Sequence, residues 1–154
     1  MSENTKNEIE SLGEFGLIEE LTRDFDINKD SSLKGIGDDC AVISSDGNSC
    51  KLLSTDMLVE GVHFNLSYMP LKSLGFKAVS VNVSDVYAMN GNPEQITVSL
   101  GISSKFPVEA LKELYAGINA ACEFYAVDLV GGDTTSSYSG LIISISVLGV
   151  ADIK

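Results

Sequence analysis

The chain has 154 residues, a length typical of one domain and sufficient to bury a hydrophobic core. Its hydrophobic fraction of 44% and charged fraction of 21% are those of an ordinary folded protein. The 22 acidic side chains outnumber the 10 basic ones and give a formal net charge of -12. This charge excludes nucleic acids and anionic membranes as expected partners.

The sequence shows no signal peptide, membrane span or cysteine pattern typical of a disulfide framework or a zinc site. The start of the chain lacks the basic and apolar segments of a signal peptide. The longest apolar run, residues 141–151, is too short to cross a bilayer. The three cysteines are odd in number, without a C-x-x-C pair, which argues against a disulfide framework and a zinc site. We therefore expect a cytoplasmic protein.

Hydrophobic periodicity predicts strands interleaved with helices. In chain order the predicted elements are helix 14–25, strands 41–44 and 51–55, helix 71–90, strand 95–102, a helix after Pro107, and strands 127–130 and 141–150. Residues 1–12 are expected to be a flexible segment and residues 13–154 a domain. The pattern predicts an α+β domain with helices on one sheet face. The other face would need a cover, such as a second copy of the chain.

Four acidic positions lie within or directly after runs that read as buried. They are Asp38–Asp39, Asp56, Asp85 and Asp133. An ionised carboxylate in such a place costs several kcal/mol unless it is paired. With one arginine in the chain, divalent cations are the partners we expect, and Ser54, Thr55 and Thr134 could add oxygen ligands. The alternative is that each aspartate caps a helix or turn.

Glycines accompany two of these acidic positions. Residues 35–39 (GIGDD) and 131–135 (GGDTT) both let the backbone approach a phosphate closely. The P-loop pattern, the full G-x-G-x-x-G fingerprint and the protein-kinase motif set are absent from the sequence. The residues thus predict a metal-dependent phosphate or nucleotide site of an uncommon class.

Four ordered blocks closely resemble the thiamine-monophosphate kinases. They are residues 35–41 (GIGDDCA), 54–64 (STDMLVEGVHF), 77–85 (KAVSVNVSD) and 131–135 (GGDTT). Residues 13–18 (GEFGLI) also resemble the start of that family, so the resemblance covers nearly the whole chain from Gly13. It implies the fold of the aminoimidazole ribonucleotide synthetase N-terminal domain. In that fold a four-stranded mixed sheet pairs with its twofold mate into a barrel-like dimer.

The resemblance also implies roles for individual residues. Those implied to bind Mg²⁺ are Asp39, Ser54, Thr55, Asp56, Asp85 and Asp133. Gly132 and Asp133 would contact ATP, Tyr115 would lie near the nucleotide, and His63 would touch thiamine monophosphate. The resemblance also implies that Asp38 is an additional Mg²⁺ ligand or a residue that contacts the ligands.

The implied reaction transfers the γ-phosphoryl group of ATP to thiamine monophosphate, giving thiamine diphosphate. This chain would be the ATP- and Mg²⁺-binding, dimerising half. The family's C-terminal domain is absent from this sequence, so we expect the chain alone to be inactive. Two alternatives stay open: another ATP-dependent relative, similar to selenophosphate synthetase or a hydrogenase-maturation protein, and a non-catalytic dimerisation or metal-binding module.

Overall fold

A computed structural model of the chain describes residues 8–152 as three helices and one mixed sheet. The helices are α1 (Glu8–Thr22), α2 (Leu71–Ala88) and α3 (Val108–Tyr125). The strands are β1 (Ser32–Lys34), β2 (Ala41–Ser44), β3 (Ser49–Val59), β4 (Asn92–Ile102), β5 (Asp128–Ser136) and β6 (Ile142–Asp152). The predicted α+β class is confirmed.

The sheet has six strands in the order β1-β2-β3-β6-β4-β5, so the expectation of four strands was wrong. β1 was not among the predicted strands, and it is held in the sheet by antiparallel pairing with β2. β5 pairs parallel with β4 at the far edge. β5 and β6 are consecutive in the chain but are not neighbours, since β4 lies between them.

The core lies between one face of the sheet and helices α2 and α3. Alternate residues of the central strand β6, Ile143, Ile145 and Val147, are almost fully buried on this face. The helices meet closely because Gly75 and Gly117 lack side chains. A Cβ at Gly117 would lie 1.9 Å from the Lys72 carbonyl oxygen. The predicted placement of helices on one sheet face is confirmed.

The opposite face of the sheet carries short polar side chains at its centre and apolar ones beside them. Ser146 donates a hydrogen bond to the Thr55 hydroxyl (3.1 Å), and Thr55 donates to the Ile145 carbonyl (3.1 Å). Leu53 and Leu148 are opposite each other in the β3–β6 register on this face. We call this surface the open sheet face.

The N-terminal helix differs from its prediction. α1 begins at Glu8 and ends at Thr22, with an interruption at Gly13, whose φ of 65° is left-handed. Residues 8–12, predicted to be flexible, are thus helical, whereas residues 1–7 lie outside the described residues. Phe15 is 86% exposed and Leu21 is 66% exposed, so this helix adds little to the core. Within residues 8–152 we find no helix both long and apolar enough to cross a membrane.

Candidate functional site

Three of the predicted aspartates converge where β2 stops pairing with β3. The β2–β3 register ends at the pair Ala41–Leu53, so the edge of β3 beyond Leu53 faces helix α2 and the loop before β2. Asp56 lies on this stretch of β3, Asp85 on the last turns of α2 and Asp39 in the loop. We call these three carboxylates the acidic site.

Two hydrogen bonds tie the free edge of β3 to α2. The Ser54 hydroxyl donates to Asp85 Oδ2 at 2.5 Å. The backbone N–H of Asp56 donates to Asn82 Oδ1 at 3.0 Å. Asn82 lies one helical turn before Asp85, so both bonds come from one face of the helix. The helix thereby takes over the hydrogen bonding that a neighbouring strand would otherwise supply.

The pKa of Asp85 depends on its burial and on the other two carboxylates of the acidic site. Burial raises the pKa of Asp85, the Ser54 hydrogen bond opposes that rise, and the charges of Asp56 and Asp39 add to it. The neighbouring thiol of Cys40 is affected in the same way: burial first, then Asp85 and the other aspartates, raise its pKa to about 11. The acidic site is therefore a region of strong negative potential.

Asp38 has a different environment from Asp39. Lys34 donates to the Asp38 carboxylate, and the Asp39 backbone N–H donates to it at 3.0 Å. These bonds, the lysine contact first, lower the pKa of Asp38. Asp38 thus already has a cation, whereas the ion pairs found among residues 8–152 leave Asp39, Asp56 and Asp85 without one.

The donor set suits a hard divalent cation, although it does not form a closed cage. Over the described part of the chain, no three acidic, histidine or cysteine side chains lie close enough to enclose a metal ion. Mg²⁺ is commonly bound by one or two carboxylates, with waters and substrate phosphates completing six ligands. The acidic site fits that open mode of binding: its carboxylates lack cationic partners, and Asp39 and Ser54 line a cleft of about 770 Å³.

Ser54 and Thr55, both predicted ligands, project to opposite faces of β3. Ser54 contacts Asp85 on the helix side. The Thr55 hydroxyl is bonded to the Ile145 carbonyl on the open sheet face, away from Asp56. Thr55 lines the same cleft as Ser54 and Asp39, but its hydroxyl is not directed at the acidic site.

The predicted nucleotide residues form a second cleft. Tyr115 of α3 and Gly132, Asp133 and Thr134 of β5 line a hollow of about 300 Å³. Gly132 packs against the backbone of β4, since a Cβ there would lie 1.8 Å from the Val98 carbonyl oxygen. A glycine is therefore required for β5 to approach β4, and this approach places Asp133 beside Tyr115. These exposed residues line a hollow on the far side of the sheet from the β3 edge.

The two clefts are separate within one chain. Asp133 is level with Met57 across the sheet, through Ser99 and Ser144. Three strand spacings of about 4.8 Å put Asp133 about 14 Å from the β3 edge. No single cation spans this gap, and Asp133 is exposed rather than buried as the sequence suggested. The structure thus brings Asp39, Asp56 and Asp85 together and leaves Asp133 apart.

His63 lies in the tight loop after β3. Its Nδ1 accepts the Val59 backbone N–H at 3.0 Å, and its carbonyl accepts a bond from Lys77 Nζ at 2.9 Å. Because Nδ1 is an acceptor here, the neutral imidazole carries its proton on Nε2. Lys77 and Asp85 are eight residues apart on α2, so the His63 loop contacts α2 two helical turns before the acidic site. The exposed Nε2–H is available to an acceptor such as a phosphate.

Asn82 was not singled out from the sequence. It lies in the third resembling block, 77–85, but its role depends on a contact with Asp56, 26 residues earlier in the chain. An amide at the centre of an otherwise apolar helix stripe was the available signal. A buried amide must find hydrogen-bond partners, yet a sequence does not say which partners those are.

Residues 37–151 match the family described as AIR synthase related protein, N-terminal domain. Among curated relatives, the thiamine-monophosphate kinase of Bacillus subtilis is 38% identical over 138 residues, covering 90% of this chain and 42% of the relative. The thiamine-monophosphate kinase of Aquifex aeolicus is 43% identical over 129 residues, covering 84% of this chain and 40% of the relative.

A solved structure agrees with these sequence matches. The structure of AaThiL complexed with AMPPCP and TMP superposes with a TM-score of 0.83 at 36% identity. The superposition covers 97% of this chain and 45% of that chain. This chain therefore spans less than half the length of the relatives that it matches.

Proposed function

This chain belongs to the AIR synthase related protein family, of which it carries the N-terminal domain, and we propose that it is the ATP- and Mg²⁺-binding part of a thiamine-monophosphate kinase. The reaction would transfer the γ-phosphoryl group of ATP to thiamine monophosphate. The similarity to thiamine-monophosphate kinases and to a structure complexed with AMPPCP and TMP supports this substrate pair.

The observation that carries the proposal is the convergence of Asp39, Asp56 and Asp85 with no cationic side chain paired to them among residues 8–152. Burial, and after it the charges of Asp56 and Asp39, raise the pKa of Asp85, so the ionised carboxylates destabilise the protein unless something neutralises them. A scaffold would gain nothing from this arrangement. A site that binds Mg²⁺ together with phosphates uses it directly.

Each cleft would hold a different part of the reacting assembly. Gly132 and Asp133 would contact the ATP phosphates, with Tyr115 near the nucleotide. Asp39, Ser54, Asp56 and Asp85 would hold Mg²⁺ at the acidic site, and His63 would donate Nε2–H to the phosphate of thiamine monophosphate. Mg²⁺ held there would neutralise the phosphate oxygens that reach the acidic site and stabilise the charge of the transition state.

A general base is not required by this chemistry. The acceptor is a phosphate oxygen, whose second pKa near ~6 leaves it largely ionised at neutral pH. This agrees with the position of His63, whose Nδ1 already accepts the Val59 N–H. His63 would therefore bind the phosphate through Nε2–H and would not act as a base. The task of the chain is to hold two polyanions in line.

We further propose that two copies of the chain pair through the open sheet face. The short side chains of Thr55, Ser144 and Ser146 allow a second sheet to approach to about 10 Å. Leu53 and Leu148 line a hollow of about 270 Å³ on this face, which a second copy would fill. The pairing would supply the cover that the sheet lacks in one chain.

The test is a melting series on this chain with Mg²⁺, AMPPCP, and both together. We expect the pair of ligands to raise the Tm by roughly 5–10 °C at a hundredfold excess over Kd. Asp56→Ala should remove most of this shift, because it deletes a carboxylate of the acidic site. Binding of Mg²⁺–AMPPCP should be measured in parallel by calorimetry.

The control is Asp46→Ala, which deletes an exposed carboxylate in the turn before β3 and should leave the ligand-dependent shift intact. Absence of any shift in the parent chain would refute the binding proposal and favour a non-catalytic module. An equal ligand-dependent Tm shift in the parent and in Asp56→Ala would show that the metal binds at a place other than the acidic site.

A further inference from the structure

Asn82 is buried to 1% exposure at the centre of α2, among apolar side chains. Both ends of its amide are satisfied. Nδ2 donates to the Ala78 carbonyl one turn earlier in the helix at 2.9 Å, and Oδ1 accepts the Asp56 backbone N–H at 3.0 Å. The bond to Ala78 fixes which way the amide points, so the oxygen is presented to β3.

The position of this contact matters because β3 has no strand partner there. β2 pairs with β3 only as far as Leu53, so the Asp56 N–H would otherwise be left without a partner. A partly buried N–H without a partner is costly, and a strand edge without one is free to shift. Asn82 provides the acceptor that holds this edge against α2.

We propose that Asn82 is a positioning residue for the acidic site: it fixes the backbone of Asp56 to α2, so that Asp56 and Asp85 face each other at a set separation. The proposal rests on the proposed function in taking Mg²⁺ as the ion that the site binds. Asn82 itself is no ligand, since both of its polar atoms are engaged in hydrogen bonds within the chain.

Asn82 and Asp85 form a pair of supports on consecutive turns of α2. The Asp85 carboxylate is held by the Ser54 hydroxyl, two residues before Asp56 on β3. Loss of the Asn82 contact would leave only that side-chain bond between β3 and the helix at this level. The spacing of the carboxylates would then vary with every movement of the strand edge.

The experiment compares Asn82→Leu with Tyr125→Phe. Leucine has the same branched arrangement of side-chain heavy atoms, in a somewhat larger volume, and deletes both amide hydrogen bonds. Tyr125→Phe deletes the hydrogen bond from the Tyr125 hydroxyl of α3 to Ser80 of α2 (3.1 Å), which joins α2 to the other helix instead of to β3. Mn²⁺ affinity is measured by water-proton relaxation, the Tm by circular dichroism, and exchange of the Asp56 amide proton by NMR.

We expect both variants to melt at a lower temperature than the parent. Only Asn82→Leu should bind Mn²⁺ more weakly, by about tenfold, because loss of a residue that supports a metal ligand has an effect of this size. The Asp56 amide should be protected in the parent chain and in Tyr125→Phe, and unprotected in Asn82→Leu. Equal Mn²⁺ affinity in all three proteins would overturn the proposal.

Two outcomes separate this proposal from the proposed function. If the parent binds no Mn²⁺ but its Asp56 amide is protected through Asn82, the positioning holds and the Mg²⁺ assignment fails. If Asn82→Leu does not fold, the test is amide exchange in the parent chain. Free exchange of the Asp56 amide proton there would show that the hydrogen bond to Asn82 is absent and would overturn the inference.

Discussion

The Asp85 carboxyl group is held where its ionised form is disfavoured, because it is partly buried and faces Asp56 and Asp39. Its environment is the opposite of that of Asp38, whose pKa is lowered by Lys34. Two aspartates of one small region thus have opposite electrostatic environments. At the scale of single residues, Asp85 is thus a carboxylate that an added cation would stabilise, whereas Asp38 already has a cationic partner in Lys34.

Asp85→Asn should stabilise the chain at neutral pH in the absence of divalent cations. A pKa raised in the folded state means that stability falls as pH rises from the ordinary value of 3.8 through the folded value, and the loss persists above it. Asparagine carries no charge, and its side-chain oxygen still accepts from Ser54. The Tm of parent and variant should be compared between pH 3 and pH 8.

The difference should be absent below pH 3.8 and grow as the pH rises above it, and added Mg²⁺ should reverse it, because only the parent gains from the ion. The exposed aspartate Asp46 provides the matched change, Asp46→Asn, which should show no such dependence. A variant that is less stable than the parent at pH 7 without metal would contradict the electrostatic account.

At the scale of elements, the packing of α2 against α3 depends on two glycines. A Cβ at Gly75 would lie 2.1 Å from the Leu114 carbonyl oxygen, and one at Gly117 would lie 1.9 Å from that of Lys72. Both contacts are with backbone atoms, which cannot rotate away as a side chain can. Helical periodicity placed both glycines within helices but gave no indication that the helices touch there.

Gly117→Ala should therefore destabilise the chain by about 1–3 kcal/mol, the usual cost of overpacking. Propensity alone predicts the opposite, a gain of about 1 kcal/mol for alanine within a helix. Urea denaturation measures the difference. Ala116→Gly, at the exposed neighbouring position, calibrates the propensity effect, and a stabilised Gly117→Ala would show that the helices do not cross at these glycines.

At the scale of the whole molecule, the open sheet face is the surface that one chain leaves uncovered. Its apolar members include Leu53, which is 42% exposed, and Met57, which is 56% exposed. They flank the central stripe of serines and threonines. A second copy seated on this face would bury them and continue the hydrophobic contacts on both sides of the sheet.

Leu148→Arg should weaken self-association without unfolding the chain, because a charge in a buried interface is costly. Sedimentation velocity should show a dimer for the parent and a monomer for the variant. Val108→Arg makes the same change at an exposed site at the start of α3 and should not alter the sedimentation coefficient. A parent that remains monomeric at high concentration would refute the pairing.

The sequence by itself determined the α+β class, the positions of the long helices and main strands, and the residues on which the family resemblance rests. These properties follow from local periodicity and from motifs that are contiguous along the chain. The order of strands was decided only by the tertiary structure, since β6 lies between β3 and β4 and β5 forms the far edge. Periodicity identifies which face of a strand is buried, but it does not identify the neighbouring strand.

The same limit applies to the site. Four aspartate positions were recognised as unusual, but only the fold showed that Asp39, Asp56 and Asp85 lie around one edge of β3, while Asp133 lies three strand spacings, about 14 Å, from that strand. It also showed that Asn82 holds the backbone of Asp56. A contact between residues far apart in sequence depends on how α2 crosses the free edge of β3, and that crossing is set by packing of the whole core.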